Sequence, residues 1–420
     1  MSQLGSKVSK GFLTICGGGN STLITAALAK SVGWDVAILT RRPEEFNGGK
    51  NIGFINNDKG YLGGQEKILV DIDCVTRNAA DCIPQSTMVM IAGLPVHLNK
   101  VVLNKIKDHL NKDRLTHIGS ICSYGGFDWI VQECLGDTGN YSIFGTQLIP
   151  YCCGTKEYGK LGDLFGAKDF VRFCTVDGKD RYDLKEAWTE ILRMPLYDTD
   201  FLTSILFPNN PVIHAPILYG LFAEWDGVTP YDPKEVPEYV YRDLRTRSGA
   251  CLQALDDEVQ LIVQELRKAI PKSEGLKENL ELGHNIVANY GDLVRNTNGM
   301  DAIFMSNLAY AHHKLPYIQV DGGVVPDVRH KFFETDLPFG LIAFKDFALM
   351  VGVETPLLDE IIYWNQRLLG VEYMVDGKLT GKDILQCSYA SKHGLGLQEL
   401  AAVYEDDGRE LKSNGMLSEL

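Results

Sequence analysis

The stretch FLTICGGGNSTLITAALAKSVGWDVAILTRR, residues 12–42, decides the fold. The run before Cys16 is mostly apolar or β-branched, which predicts a buried strand, and a glycine triplet follows directly. Apolar residues then recur at helical spacing up to Val32, and DVAILT predicts a second strand. A strand, a glycine turn, a helix and a second strand within about thirty residues are typical of a dinucleotide-binding unit.

The glycine turn gives this unit its chemistry. Glycines allow a tight turn and close approach to a pyrophosphate, and the helix N-terminus offers N–H groups and a positive dipole end. The predicted cofactor contacts are therefore Gly17, Gly18, Gly19 and Asn20. Thr22 stands where the pattern usually has its third glycine.

The end of the second strand bears on the choice of nucleotide. Arg41 and Arg42 occupy the place of the acid that would bind a ribose hydroxyl. Taken alone, they favour the 2′-phosphate of NADP, with Arg41 as a cofactor contact.

Composition limits the class of protein. The 420 residues are 45% hydrophobic and 23% charged, as expected of a globular protein with two domains. A formal charge of −14 argues against nucleic acid as a partner. The scattered cysteines do not predict a metal site or a disulfide framework, and no apolar stretch is long enough to cross a bilayer. We therefore predict a cytoplasmic protein without metal or membrane binding.

The order of elements predicts two domains. Residues 86–95 and 114–135 repeat the pattern of a strand followed by a loop, which extends a doubly wound parallel sheet through residues 1–202. Residues 249–271 have one apolar face and end at a proline, and residues 354–370 begin with Thr355 as N-cap and end at Gly370. The predicted fold is α/β: a Rossmann-type domain followed by an all-α substrate domain over residues 203–420.

Two stretches of the second domain carry candidate chemistry. His214 lies in NNPVIHAPILYG, with Asn210 one helical turn earlier, and is either a proton-transfer group or a core histidine bonded to a backbone carbonyl. His312 and His313 are expected at the surface. Residues 320–340 predict a long ordered loop whose charged residues could orient a histidine or bind a carboxylate.

Five motifs follow one another along the chain: ICGGGN, NNPVIHAPILYG, VDGGVVPD, ETDLPFGLIAFKDFALMVGV and VEYMVDGKLTGKDI. In this order they resemble the opine dehydrogenases, especially the invertebrate type that includes octopine dehydrogenase. The similarity extends over nearly the whole chain.

The resemblance implies a reaction and its residues. Pyruvate would condense with an amino group, and NADH would reduce the imine to an N-(1-carboxyethyl) amino acid, which reoxidises NADH in anaerobic glycolysis. The catalytic histidine of the family falls on His214 and its partner acid on Asp336. The substrate-binding positions fall on Asn210, Lys331 or Arg329, Thr146 and Tyr124. The resemblance also favours NAD over NADP and a monomer.

Two departures from the family bear on the substrates. Lys331 stands in place of an arginine and cannot form a bidentate pair with a carboxylate, so Arg329 is an alternative. Gly145 replaces a glutamate suited to a guanidinium, which disfavours arginine as the amine. We therefore expect glycine, alanine, β-alanine or taurine.

Two other functions stay open on the sequence. One is a keto acid reductase of similar two-domain organisation that requires no amine. The other is a non-catalytic NAD(P)-binding sensor.

Overall fold

The computed structural model describes residues 10–136, 139–176 and 181–405. The chain divides into two compact units. One contains the residues up to Ser123 and Phe127–Asp198, and the other contains Tyr124–Gly126 and the residues from Thr199 onward. The sequence-based boundary lies at residue 202.

The first unit contains a large sheet built around the glycine-rich segment. The strands of this sheet and of a second sheet beside it are β1 (Phe12–Cys16), β2 (Asp35–Leu39), β3 (Ile52–Asn56), β4 (Lys67–Val70), β5 (Cys74–Thr76), β6 (Met88–Ile91), β7 (Thr116–Ser120), β8 (Tyr141–Thr146), β9 (Tyr151–Glu157), β10 (Leu161–Ala167), β11 (Val171–Thr175) and β12 (Leu196–Thr199). Its helices are α1 (Asn20–Ser31), α2 (Asn99–Ile106), α3 (Phe127–Leu135) and α4 (Arg181–Leu192).

The strand order of this sheet confirms the Rossmann-type prediction. The order is β12-β11-β8-β7-β6-β1-β2-β5, and the six strands from β8 to β5 are parallel. The order reverses at β1, where doubly wound sheets bind nucleotides beyond the carboxyl ends of the strands. The glycine turn leaves β1 at this end.

A second sheet, of order β4-β3-β10-β9, was not predicted from the sequence. Helix α1 packs against β1 and β2 and also against all four strands of this second sheet. For this reason, every residue from Ser21 to Ala29 is buried, including three hydroxyl residues. A helix covered on more than one side does not need a single apolar face.

The second unit is mainly helical. Its helices are α5 (Phe201–Leu206), α6 (Asn210–Phe222), α7 (Thr246–Ala269), α8 (Leu282–Tyr290), α9 (Met300–Ser306), α10 (Lys331–Glu334), α11 (Ile342–Val351), α12 (Pro356–Leu369) and α13 (Leu397–Glu405). It also contains a hairpin of β13 (Tyr317–Val320) and β14 (Gly323–Pro326) and a π-helical turn over Leu337–Leu341.

The predictions for α7 and α12 are confirmed. Helix α7 buries the leucine, isoleucine and valine side chains spaced three and four residues apart. Helix α12 has Thr355 as its N-cap residue and ends at Gly370, whose φ of 71° is left-handed.

The long loop predicted over residues 320–340 is wrong in detail. Gly322 has a φ of 90°, which lets the chain reverse between β13 and β14, so the first part is a hairpin. The second part is α10 and the π-helical turn. The helical domain therefore contains one small antiparallel sheet.

Candidate active site

The glycine turn of the first unit has no room for side chains. A Cβ on Gly17 would lie 1.8 Å from the carbonyl oxygen of Ala92, and a Cβ on Gly19 would lie 2.5 Å from that of Gly93. Gly19 is the N-cap of α1 and provides no side-chain cap for the first N–H groups of the helix. An uncovered helix N-terminus beside a side-chain-free turn is suited to a pyrophosphate, so these residues fit a dinucleotide.

Thr22 has a structural role that explains its departure from the glycine pattern. Its hydroxyl donates a hydrogen bond to the carbonyl oxygen of Ala92 at 2.8 Å. A Cβ on Gly93 would lie 2.6 Å from the same hydroxyl oxygen. Thr22 therefore joins α1 to the end of β6. The third glycine of the usual pattern permits the helix to pack closely on the sheet, and here a hydrogen bond from Thr22 holds the two together.

The other predicted cofactor residues lie around this turn. The Asn20 amide donates to the carbonyl oxygen of Cys153 at 3.4 Å, and the Thr155 hydroxyl donates to Asn20, which fixes the start of α1 against β9. Arg41 is exposed at the end of β2. The guanidinium of its neighbour Arg42 lies over the Tyr158 ring, 4.2 Å from the ring centroid.

In the second unit, two predicted catalytic residues are in contact. His214 lies on α6 and is 4% exposed, and its Nδ1 is 2.7 Å from Oδ2 of Asp336, which is 3% exposed. Its Nε2 is 2.8 Å from the hydroxyl oxygen of Tyr241. His214 is thus bonded to two side chains, and the reading as a core histidine held by a backbone carbonyl is not favoured.

The carboxylate of Asp336 determines the tautomer of His214. An ionised carboxylate only accepts hydrogen bonds, so the proton of the neutral imidazole lies on Nδ1 and Nε2 is left to exchange protons. Tyr124, which belongs to the same unit, donates its hydroxyl proton to Oδ1 of Asp336 at 3.3 Å. Both carboxylate oxygens are therefore held in place.

A short segment before Asp336 covers the His214 ring. The Phe332 ring, on α10, stacks on the imidazole with centroids 3.7 Å apart. Burial lowers the pKa of His214, and Asp336 acts in the opposite direction by stabilising the protonated ring. The nearby positive charge of Lys331 lowers this pKa further.

The predicted carboxylate-binding residues differ in their surroundings. Lys331 is exposed at the start of α10, with Nζ 5.9 Å from the Phe332 ring centroid. The Arg329 guanidinium lies 3.3 Å from a carboxylate oxygen of Glu334. Lys331 is therefore close enough to affect His214 electrostatically, whereas Arg329 has an acidic partner on α10.

The remaining predicted substrate residues lie in both units. Asn210 is the first residue of α6, four positions before His214 and on the same face of the helix. Thr146 ends β8, is fully buried and donates its hydroxyl proton to the carbonyl oxygen of Ile121 at 2.5 Å. Gly145 precedes it on β8, so no side chain is available at that position.

Sequence reasoning missed three residues of this region. The position of Phe332 could have been predicted from the sequence, because it precedes Asp336 by one helical turn. The position of Tyr241 could not, since this residue lies in an irregular stretch. Asn209, adjacent to the predicted Asn210, is 1% exposed, and neither polar atom of its side chain has a hydrogen-bond partner among the described residues.

The surface prediction for the histidine pair is only half right. His312 is exposed, but His313 is partly buried and its ring centroid lies 5.6 Å from that of Tyr241. Burial lowers the pKa of His313 to about 4.

Metal sites and membrane spans were two further possibilities for the part of the chain that the structure describes. No cluster of three or more His, Cys, Asp or Glu residues there is arranged to hold a metal ion. None of the helices there combines the length and apolar character needed to cross a membrane.

Known proteins resemble the chain over most of its length. It is 27% identical to an opine dehydrogenase of Haliotis discus hannai over 91% of this chain and 96% of that protein. It is 25% identical to the octopine dehydrogenase of Pecten maximus over 90% and 96%. It is also 26% identical to the tauropine dehydrogenase of Arabella iricolor over 91% and 97%.

Solved structures share the fold. Octopine dehydrogenase with NADH and L-arginine superposes with a TM-score of 0.78 at 24% identity, over 96% of this chain and 99% of that chain. A ketopantoate reductase from Ralstonia eutropha reaches a TM-score of 0.52 at 10% identity, over 85% and 98%. The fold prediction is confirmed by the first of these.

Residues 197–369 match the model of one family, described as the α-helical domain of NAD/NADP octopine/nopaline dehydrogenases. This segment contains both His214 and Asp336. The predicted resemblance to the opine dehydrogenases is therefore confirmed.

Proposed function

We propose that the protein is an NAD(H)-dependent opine dehydrogenase, which condenses pyruvate with a small amino acid or taurine and reduces the resulting imine. The observation that carries this proposal is the buried hydrogen bond of 2.7 Å between His214 and Asp336. A histidine oriented by a carboxylate is an effective acid and base near neutral pH.

The cofactor residues in this proposal are Gly17, Gly18, Gly19, Asn20 and Arg41. The turn and the α1 N-terminus would hold the pyrophosphate, and NADH, when bound, would supply the hydride that reduces the imine. NADH is favoured over NADPH by the resemblance to the invertebrate opine dehydrogenases, although Arg41 and Arg42 follow β2. The octopine dehydrogenase of similar fold was solved with NADH.

His214 moves the protons of the condensation. The imidazole takes up one proton as the substrate ammonium is deprotonated, which frees the nitrogen lone pair to attack the carbonyl carbon of pyruvate. One proton is returned when the hydroxyl of the resulting carbinolamine leaves as water. A lowered pKa suits the first step because the imidazole is then neutral at neutral pH. Asp336 stabilises the imidazolium between the two steps.

Lys331 is the proposed partner of the pyruvate carboxylate. Its ammonium group lies close enough to His214 to affect its pKa and is exposed to an incoming anion. Arg329 is the alternative, but Glu334 already neutralises its charge. Asn210 and Tyr124, which belong to the same unit as His214, are proposed to complete the substrate contacts.

The amine is proposed to be small and without a cationic side chain. Gly145 supplies no carboxylate for a guanidinium, and a tauropine dehydrogenase is among the similar proteins. The products would be tauropine, alanopine, strombine or β-alanopine. In this role the enzyme would reoxidise NADH in anaerobic glycolysis, and we propose that it acts in the cytoplasm as a monomer.

The proposal is tested by following NADH absorbance with pyruvate alone and then with taurine, glycine, L-alanine, β-alanine or L-arginine. We expect oxidation only when an amine is present, with little activity toward L-arginine. NADPH in place of NADH is the matched cofactor control. Oxidation with pyruvate alone would indicate a keto acid reductase, and nucleotide binding without turnover would indicate a sensor.

A further inference from the structure

The hydroxyl of Tyr241 occupies the proton-exchanging nitrogen of His214. Nδ1 of the imidazole donates to Asp336, so Nε2 is the nitrogen that gains and loses a proton. Tyr241 lies 2.8 Å from this nitrogen, within ordinary hydrogen-bond distance. A proton that enters or leaves His214 in this geometry passes through the tyrosine hydroxyl.

The surroundings of Tyr241 hold its ring in place. It is buried, and its ring centroid lies 4.6 Å from that of Tyr310, 5.7 Å from that of Phe304 and 5.6 Å from that of His313. Rotation of the ring away from His214 would disrupt these aromatic contacts, which favour a fixed arrangement.

We propose that Tyr241 is a further catalytic residue, which transfers protons between His214 and the substrate; this inference rests on the proposed function. When the imidazole is neutral, the tyrosine O–H donates to Nε2. When the imidazole is protonated, Nε2–H donates to the tyrosine oxygen, and the tyrosine proton points to another acceptor.

Protons, bonds and charge are conserved when the relay acts on the carbinolamine. As the hydroxyl of the carbinolamine leaves, Tyr241 gives its proton to that oxygen and receives the Nε2 proton of His214. The C–O bond breaks, its electron pair leaves with water, and the nitrogen lone pair forms the C=N bond. Tyr241 is neutral before and after, and the positive charge that leaves the His214 imidazolium appears on the iminium group of the substrate.

Tyr241→Phe removes the hydroxyl and keeps the ring. We expect kcat with pyruvate and the best amine to fall about 10²- to 10⁴-fold, the range of general acid–base catalysis, while the Kd for NADH is unchanged. The solvent deuterium isotope effect on kcat is also expected to change, because fewer protons move in the step. Tyr290→Phe is the matched control, since Tyr290 is a buried tyrosine that packs on Tyr310 and is expected to retain wild-type kcat.

A second readout does not depend on turnover. The ¹⁵N signal of His214 Nε2, assigned by its absence in His214→Asn, is expected to shift in Tyr241→Phe and to stay in place in Tyr290→Phe. Wild-type kcat and isotope effect in Tyr241→Phe would overturn the relay alone and show that the hydroxyl only fills space. Lack of any amine-dependent oxidation by the wild-type protein would overturn the proposed function, and the relay with it.

Discussion

His214 is held by opposing influences at the scale of single residues. Burial under Phe332 and the charge of Lys331 favour the neutral imidazole, and the carboxylate of Asp336 favours the protonated one. The net direction is a pKa below the usual histidine range. In the reductive direction, the step in which His214 acts as an acid should therefore become faster as the pH falls toward this lowered pKa, because a larger fraction of His214 is then protonated.

Asp336→Asn tests the role of the carboxylate. Without its negative charge the pKa of His214 falls further, so the pH profile of kcat should move to more acid pH. The amide can also present an N–H to Nδ1 and favour the wrong tautomer. We expect kcat at neutral pH to fall about 10²- to 10⁴-fold with NADH binding retained, measured by steady-state rates across pH and by fluorescence titration.

A useful comparison is Asp256→Asn, since Asp256 is a buried carboxyl group on α7 that accepts hydrogen bonds from Gln260 and from the backbone N–H of Leu282. That variant should keep the wild-type pH profile. An unchanged profile in Asp336→Asn as well would mean that Asp336 does not control the protonation of His214.

At this scale the sequence was partly informative. His214 was visible as a histidine in an apolar helix, but its pairing with Asp336 was expected only from the family resemblance, because 122 positions separate the two. Tyr241 could not be predicted, since its contact with His214 arises from tertiary packing of an irregular stretch. Thr22 looked like a defect of the glycine pattern and instead donates a hydrogen bond.

At the scale of elements, the π-helical turn after Asp336 sets the position of the acid. The turn packs against the first turn of α6, where a Cβ on Gly340 would lie 2.0 Å from Cγ of Pro211. This contact brings the segment that carries Asp336 close to the helix that carries His214. Such turns are frequent at functional sites because they re-aim side chains.

Gly340→Ala should separate these two elements. Overpacking of this kind costs about 1–3 kcal/mol, and displacement of Asp336 should reduce kcat at least tenfold. Thermal unfolding and steady-state kinetics measure the two effects. NADH binding should remain, because the glycine turn belongs to the other compact unit.

Two further substitutions separate the roles of the glycines. Gly283→Ala places a Cβ 3.3 Å from a flexible isoleucine side chain on a helix and should leave kcat unchanged. If Gly340→Ala retains wild-type kcat, the π-helical turn does not position Asp336.

Gly17→Ala should abolish NADH binding, since its Cβ would lie 1.8 Å from a backbone oxygen.

The sequence predicted long periodic elements well and short ones poorly. The 24-residue α7 and the capped α12 follow from apolar spacing and end signals. The second sheet pairs β3 with β10, which are far apart in the chain, and each strand is short. Pairing of that kind depends on the tertiary fold, and local pattern does not record it.

At the scale of the whole molecule, the two compact units correspond to two separate tasks. The first contains the glycine turn suited to a dinucleotide, and the second contains the oriented histidine. The sequence predicts two domains because its two halves differ in their pattern. The identity of the amine depends on a few side chains and was predicted only as a class.

The central claim is that hydride is delivered to the carbon that bears the amine nitrogen. The most direct test supplies deuteride from 4-deuterated NADH, pyruvate and a ¹⁵N-labelled amine, and identifies the product by mass spectrometry and NMR. We predict one secondary amine whose deuterium lies on the carbon bonded to ¹⁵N. Deuterated lactate together with unreacted labelled amine would contradict the claim and identify a keto acid reductase.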